Sequence, residues 1–133
     1  MADVGFLSPE WVDRHRELGA ALPERPGLTA SVEVTVTDAG GRRVQAQYWL
    51  AWEDGRAVDG GPGPDASAQV QLTSPAAVAA ELASGAVDAS AAYMQGRLKT
   101  AGDQAALLRL LALTATPEYG AALRELEAAT THA

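Results

Sequence analysis

The fold of this chain is decided by residues 29–55, which read TASVEVTVTDAGGRRVQAQYWLAWEDG. Apolar side chains recur at every second residue of 29–37 and 43–53. This period of two is typical of strands. Turn-forming residues separate the two runs, and Asp54 with Gly55 is a pair that favours a two-residue hairpin turn. The stretch therefore predicts a hairpin and, after it, a short third strand over 56–59, followed by a loop of glycine and proline over 60–64.

The remaining residues favour helices, because residues that typically precede a helix stand before the apolar segments. Ser8 followed by Pro9 predicts the start of a first helix. A fourth strand over 66–73 and a last strand over 97–101 lie among the later helices. The predicted starts of those helices are Ser74, Asp88, Asp103 and Thr116, and the predicted stops include Gly85 and Gly96. This order of elements indicates an α+β fold, with one largely antiparallel sheet and the helices collected on one face.

The length and composition indicate one domain. The chain has 133 residues, of which 47% are hydrophobic, but 29 of those are alanine and none is isoleucine. A chain of this length can bury a real core without crosslinks. We therefore expect a single domain over 1–133, with a flexible lead over 1–7 and a tail over 130–133.

The charge and the cysteine count exclude several functions. The net charge is −7, from 10 basic and 17 acidic residues, so neither nucleic acid nor an anionic membrane is an expected partner. The absence of cysteine excludes disulfides and thiol chemistry, and two histidines are too few to predict a metal site. No apolar run is long enough for stable membrane insertion, and no signal peptide is recognisable. We expect a cytoplasmic protein that needs no cofactor and no metal.

Residues 64–113 resemble a known family. The hallmark is an Ala-aromatic-Met-x-Gly-basic-Leu-basic stretch that ends in Gly-Asp, and residues 92–103 read AYMQGRLKTAGD here. This stretch resembles the sterol carrier protein type-two domain family, as a small stand-alone member of bacterial type. The hairpin at Asp54 and Gly55 also fits that family, so the resemblance extends over most of the chain.

The resemblance implies a fold and a function. It implies a five-stranded, mostly antiparallel sheet with helices packed on one face, enclosing an apolar tunnel. It also implies a carrier for an apolar small molecule, such as a lipid, a fatty acyl chain, or a sterol-like or polyketide-like ligand. Gly96, Gly102 and Asp103 are mainly structural in that family: Gly102 suits a turn with positive φ, and Asp103 caps the next helix.

The expected tunnel lies between the apolar face of the strands and the helices above it. Alanines on those helices, including Ala92 and Ala105, would leave room for a ligand. Arg97 and Lys99 alternate on the last predicted strand and face the same side. They meet a carboxylate or phosphate head group at the tunnel mouth, form a solvated strand face, or pair with acidic residues of this chain. The expected ligand-binding residues are Val32, Val34, Tyr48, Leu50, Trp52, Met94, Leu98, Leu108 and Leu111.

Two alternatives to a carrier stay open. The first is a cofactor-free enzyme of secondary metabolism, a cyclase or isomerase, with His15, Tyr48 and Tyr93 as candidate catalytic residues; each of them also suits an ordinary core position. The second is an interaction module that forms a homodimer, because Trp49 points to the face opposite the helices. Two or more ionisable groups that converge in the cavity would favour the enzyme, and an entirely apolar wall would favour the carrier.

Overall fold

The computed structural model describes residues 3–132, and these residues form a five-stranded sheet, a separate pair of short strands and five helices. The elements in chain order are β1 (Val4–Gly5), α1 (Pro9–Ala20), β2 (Ala30–Thr37), β3 (Val44–Glu53), β4 (Arg56–Pro62), β5 (Val70–Pro75), α2 (Ala76–Ser84), α3 (Ala89–Met94), β6 (Lys99–Gly102), α4 (Gln104–Thr114), α5 (Pro117–Ala128) and β7 (Thr130–Thr131).

The five-stranded sheet has the order β4-β3-β2-β5-β6. Its neighbouring strands are antiparallel except for β2 and β5, which run parallel. Val32 in the central strand stands opposite Leu50 of β3 and Val70 of β5, and all three side chains are buried. Because side chains alternate along each strand, this register gathers the apolar residues of three strands on one face. The predicted α+β fold with a five-stranded, mostly antiparallel sheet is confirmed.

Two strands differ from their predicted bounds because long-range pairing decides where they end. β4 continues to Pro62, where a loop over 60–64 was predicted, since its backbone stays paired with β3. Gly60 permits this close approach, because a side chain there would collide with Leu50. β5 begins later than predicted and runs to Pro75 in its pairing with β2. Ser74 is therefore a buried strand residue, and α2 has no side-chain cap.

The last strand also starts later than predicted. Arg97 precedes β6, because its backbone N–H donates to the carbonyl of Ala92 at 2.9 Å in the turn that ends α3. Lys99 is the first residue of β6, which lies at the edge of the sheet. The expected alternation of Arg97 and Lys99 on one strand is therefore wrong.

The chain ends contact one another. Val4–Gly5 pairs in parallel with Thr130–Thr131, and the backbone N–H of Phe6 donates to the carbonyl of Thr131 at 3.0 Å. These residues belong to the segments expected to be a flexible lead and a tail. Met1, Ala2 and Ala133, which complete those segments, lie outside the described residues.

The predicted helix caps are confirmed at four starts. The side chains of Ser8, Asp88, Asp103 and Thr116 each accept a hydrogen bond from a backbone N–H in the first turn of the following helix. The Asp103 carboxylate lies 3.0 Å from the Ala106 nitrogen. These caps satisfy N–H groups that have no partner within the helix, and they fix where each helix begins.

Gly102 is expected to be far less tolerant of substitution than Gly96. Both glycines have positive φ, at 103° and 73°, but a side chain at Gly102 would also overlap the backbone oxygen of Gln69, whereas the space at Gly96 is open. We expect Gly96→Ala to lower the free energy of unfolding by about 1 kcal/mol. Gly102→Ala should cost at least about twice as much. Urea unfolding measures both, and equal losses would show that the overlap relaxes freely.

Candidate functional site

A cavity of about 380 Å³ lies between the apolar face of the sheet and the helices. Its volume falls within the range of about 300–1,000 Å³ that is usual for small-molecule sites. The wall is mostly apolar on the sheet side and on α4. The sheet residues that line it are Val32, Val34, Val36, Tyr48, Leu50, Trp52, Leu72 and Ser74.

The cavity exists because small side chains face it from the helical side. Ala79 and Ala83 of α2, Ala89 of α3 and Gly120 of α5 all line it. The alanines that the sequence suggested lie elsewhere: Ala92 is completely buried away from the cavity, and Ala105 is exposed. Alanine content therefore predicted that space would be left, but the packing of the helices decided where.

Seven of the nine predicted ligand-binding residues line this cavity. They are Val32, Val34, Tyr48, Leu50, Trp52, Leu98 and Leu111. They come from β2, from β3, from α4 and from the residue just before β6. The structure thus brings together residues that are up to 79 positions apart, between Val32 and Leu111.

Met94 and Leu108 do not line the cavity, contrary to expectation. They are 82% and 57% exposed. Leu108 follows the buried Leu107 in α4, and one residue corresponds to about 100° around a helix, so Leu108 turns towards solvent. Met94 ends α3, whose buried residue is Ala92. The helix therefore buries a different side from the one that carries Met94.

The residues that are both exposed and part of the wall mark the mouth of the cavity. They are Ser84, Gly85, Asp88 and Arg124. The mouth therefore lies between the end of α2 and the second half of α5. Arg124 is the basic residue of this rim, and its guanidinium lies over Gly120, 3.6 Å from where a Cβ would stand.

The two residues predicted to contact a head group are not among the residues of this mouth. Arg97 forms an ion pair with Glu81 of α2, and Lys99 is exposed at the edge of the sheet. Neither residue lines the cavity. Sequence reasoning missed Arg124, because a single arginine on an amphipathic helix carries no signal that separates it from other surface arginines.

Three polar aromatic residues from distant parts of the chain converge on the cavity: His15 of α1, Tyr48 of β3 and Tyr119 of α5. His15 Nε2 lies 3.1 Å from the Tyr119 hydroxyl oxygen, which is hydrogen-bond distance. The ring centres of Tyr48 and Tyr119 lie 6.3 and 6.1 Å from that of His15. His15 and Tyr48 were candidates from the sequence, and Tyr119 was not. Tyr93, the remaining candidate, packs against the core and does not line the cavity.

These three side chains are uncharged at neutral pH, and burial shifts their pKa values further from it. Burial lowers the pKa of His15 to about 4 and raises the pKa of Tyr119 to about 12. The pKa of Tyr48 is raised by burial and by the neighbouring Tyr119. General acid–base catalysis works best with a pKa near the working pH. The pKa values of the three groups are shifted away from neutral pH, so their arrangement suits hydrogen bonding between uncharged groups better than proton transfer.

Two kinds of feature are missing from the described part of the chain. Within residues 3–132, no group of three or more His, Asp and Glu residues could hold a metal ion. No helix in the same range is both long and apolar enough to cross a membrane.

The fold and the cavity define a small α+β protein with an internal apolar site. Comparison with known protein families identifies the family to which the chain belongs. The SCP-2 sterol transfer family matches residues 13–115. The chain belongs to this family, and the resemblance drawn from residues 64–113 is confirmed. Comparison with curated proteins gives no match.

Solved structures of sterol carrier proteins share the fold. A crystal structure of sterol carrier protein 2 superposes with a TM-score of 0.71 at 17% identity, covering 90% of this chain and 98% of the other. A conserved hypothetical protein from Thermus thermophilus gives 0.64 at 16% identity, covering 95% and 92%. Sterol carrier protein 2 from Aedes aegypti, in complex with palmitate, gives 0.55 at 20% identity, covering 80% and 92%. At these identities the similarity shows the fold alone.

Titration of His15 is expected to make the protein less stable in acid. The folded-state pKa of about 4 lies below the unfolded value of about 6.5, so the unfolded chain binds more protons between these values. Stability therefore rises with pH across this window and is lost as the pH falls through it. We expect wild type to lose about 3 kcal/mol more than His15→Gln on going from about pH 7 to about pH 4.

Urea unfolding of both proteins at a series of pH values measures this difference. The acidic residues titrate in both proteins, so their contributions cancel in the comparison. Parallel pH profiles for wild type and His15→Gln would show that His15 does not titrate with a lowered pKa.

Proposed function

We propose that this protein is a non-enzymatic carrier that holds an apolar small molecule in the cavity between sheet and helices. The observation that carries the proposal is the cavity itself, about 380 Å³ with a mostly apolar wall, in a member of the SCP-2 sterol transfer family. The ligand classes that fit are a lipid, a fatty acyl chain, or a sterol-like or polyketide-like molecule. We propose that residues 1–133 act as one domain and that the protein acts in the cytoplasm.

The energy for binding comes from removing apolar surface from water. Each 100 Å² of ligand surface that enters the cavity contributes about 2.5 kcal/mol. The side chains that supply the wall, such as Val32, Leu50 and Leu111, need no directional chemistry to do this. The palmitate in the Aedes aegypti protein is a ligand of this kind, and this supports an acyl chain as one ligand here.

We propose Arg124 as the head-group contact in place of Arg97 and Lys99. Arg124 stands on the rim of the mouth, whereas Arg97 is paired with Glu81. An acidic amphiphile with its chain in the cavity would present its head group at this rim. Because Arg124 is exposed, the ion pair contributes at most about 1 kcal/mol.

An enzyme on the same scaffold is the second candidate, and the convergence of His15, Tyr48 and Tyr119 is the observation in its favour. The directions of their pKa shifts count against it, because they make His15 a weaker base and the two tyrosines weaker acids than a cyclase or isomerase needs at neutral pH. The third candidate is a homodimer through the face of Trp49. That indole lies 3.6 Å from where a Cβ of Gly61 would stand and is only partly exposed. Measurement of the molar mass in solution tests the dimer.

Partly filling the cavity is expected to weaken ligand binding without unfolding the protein. Ala83 of α2 is buried and lines the cavity, so the indole of Ala83→Trp would occupy space that a ligand needs. We expect at least about a tenfold loss of affinity for a fluorescent fatty-acid probe, since each 1.4 kcal/mol of lost burial is a factor of ten. The matched control is Ala105→Trp, which adds the same side chain at an exposed alanine. Equal affinities of the two variants would contradict the cavity as the binding site.

Arg124 is expected to favour acids over alcohols by a small factor. We expect Arg124→Ala to weaken the binding of n-decanoate by about two- to fivefold at low salt and to leave n-decanol unchanged, because an exposed ion pair is worth less than about 1 kcal/mol. Added salt should reduce the effect. Arg97→Ala is the control, since it removes an arginine that is paired with Glu81 and does not line the cavity. An acid preference that responds to Arg97→Ala and not to Arg124→Ala would restore the original assignment.

A further inference from the structure

The buried part of the cavity wall holds polar groups that an apolar carrier does not need. His15 and Tyr48 are 7% and 8% exposed, and Tyr119 is half-buried. The hydroxyl of Tyr119 comes from α5 and lies within hydrogen-bond distance of His15 Nε2. In a wall that only holds hydrocarbon, Phe and Leu at these positions would make the folded protein more stable. The reason is that burying a polar group costs free energy unless the group has a hydrogen-bond partner.

The Tyr119 hydroxyl has hydrogen-bonding capacity left over beyond its contact with His15. If the Tyr119 hydroxyl donates to Nε2, its oxygen still accepts a further hydrogen bond. If Nε2–H donates instead, the Tyr119 hydroxyl is free to donate to another group. Tyr48 brings a second phenol to the same cavity, and a phenol both donates and accepts. Either tautomer of His15 therefore leaves the cluster able to hydrogen-bond a ligand.

The neighbouring side chains of α1 point to the same conclusion. Trp11 Nε1 and His15 Nδ1 are buried and have no hydrogen-bond partner among the described residues. Both side chains line the cavity, and their ring centres are 5.1 Å apart. Buried polar atoms without partners are uncommon in folded proteins and need an explanation. These polar groups from α1, β3 and α5 thus lie together in a wall that is mostly apolar.

We infer that the hydroxyls of Tyr119 and Tyr48 form a subsite for an uncharged oxygen group, a hydroxyl or a carbonyl, on the buried end of the ligand. His15 is a positioning residue, which orients the Tyr119 hydroxyl through the 3.1 Å contact. The inference rests on the proposed function, because it concerns the same cavity. It names the ligand class more narrowly: an apolar molecule that carries a hydroxyl or carbonyl group.

The electrostatics of the cluster decide between an uncharged and a charged group. The three side chains are uncharged at neutral pH, so a carboxylate buried among them would lose its hydration without gaining an ion pair. A hydroxyl or carbonyl loses much less on leaving water and regains a hydrogen bond. An acid head group therefore stays at the mouth near Arg124, and an uncharged oxygen is the group that the buried subsite accepts.

The test compares two ligands of equal length, n-decanol and fluorodecane, in competition with a fluorescent fatty-acid probe. The ligands share the hydrocarbon chain and differ in the hydroxyl. We expect Tyr119→Phe to weaken n-decanol about two- to tenfold, the effect of one lost hydrogen bond, and to leave fluorodecane within about twofold. Tyr48→Phe should act in the same direction and keeps the His15–Tyr119 pair. The matched control is Tyr93→Phe, which removes a phenol outside the cavity, and melting temperatures check that each variant is folded.

The outcomes separate the inference from the proposed function. If fluorodecane and n-decanol displace the probe but neither tyrosine variant changes the ratio of their affinities, the proposed subsite is wrong and the proposed carrier function is retained. If neither ligand displaces the probe from the wild-type protein, or if the probe does not bind, the proposed function fails and the subsite fails with it. His15→Gln, whose amide can still pair with Tyr119, should retain more of the n-decanol preference than His15→Leu. Equal losses in both would contradict the positioning role.

Discussion

The pairing of the central strand β2 is the constraint on which the rest of the structure depends. Val32 stands opposite Leu50 on one side and Val70 on the other. A slip of one residue in either pairing would turn a whole row of apolar side chains to the opposite face. The parallel neighbour β5 also leads directly into α2, so the same pairing delivers that helix to its place at the cavity.

The helices then cover this face without filling it. Leu110 and Leu113 of α4 are buried in the core, whereas α2 presents alanine to the space beside them. Empty apolar volume of this kind lowers stability, because the lining atoms lose contacts on one side. A ligand that fills the space restores those contacts and stabilises the folded state by mass action. The same alanines that weaken the packing therefore create the capacity to bind.

Local patterns identified most elements and most of the cavity wall. The alternation in residues 43–53 placed Tyr48, Leu50 and Trp52 together on the buried face, because strand geometry alone separates the two faces. Caps at Asp88 and Asp103 marked helix starts, because they satisfy backbone groups nearby in sequence. The helical period did not predict the exposure of Leu108. A helix with five leucines has several possible buried faces, and only the elements packed against the helix determine which face is buried.

The sequence by itself determined the family, the α+β architecture and the chemical character of the sheet face, since each of these depends on motifs and on periods of two or 3.6 residues. The tertiary structure alone decided the position of the mouth, the absence of Arg97 from the cavity wall, and the contact between His15 and Tyr119. That contact joins residues 104 positions apart. No local pattern encodes such a distance, because it results from how α1 and α5 pack across the same sheet.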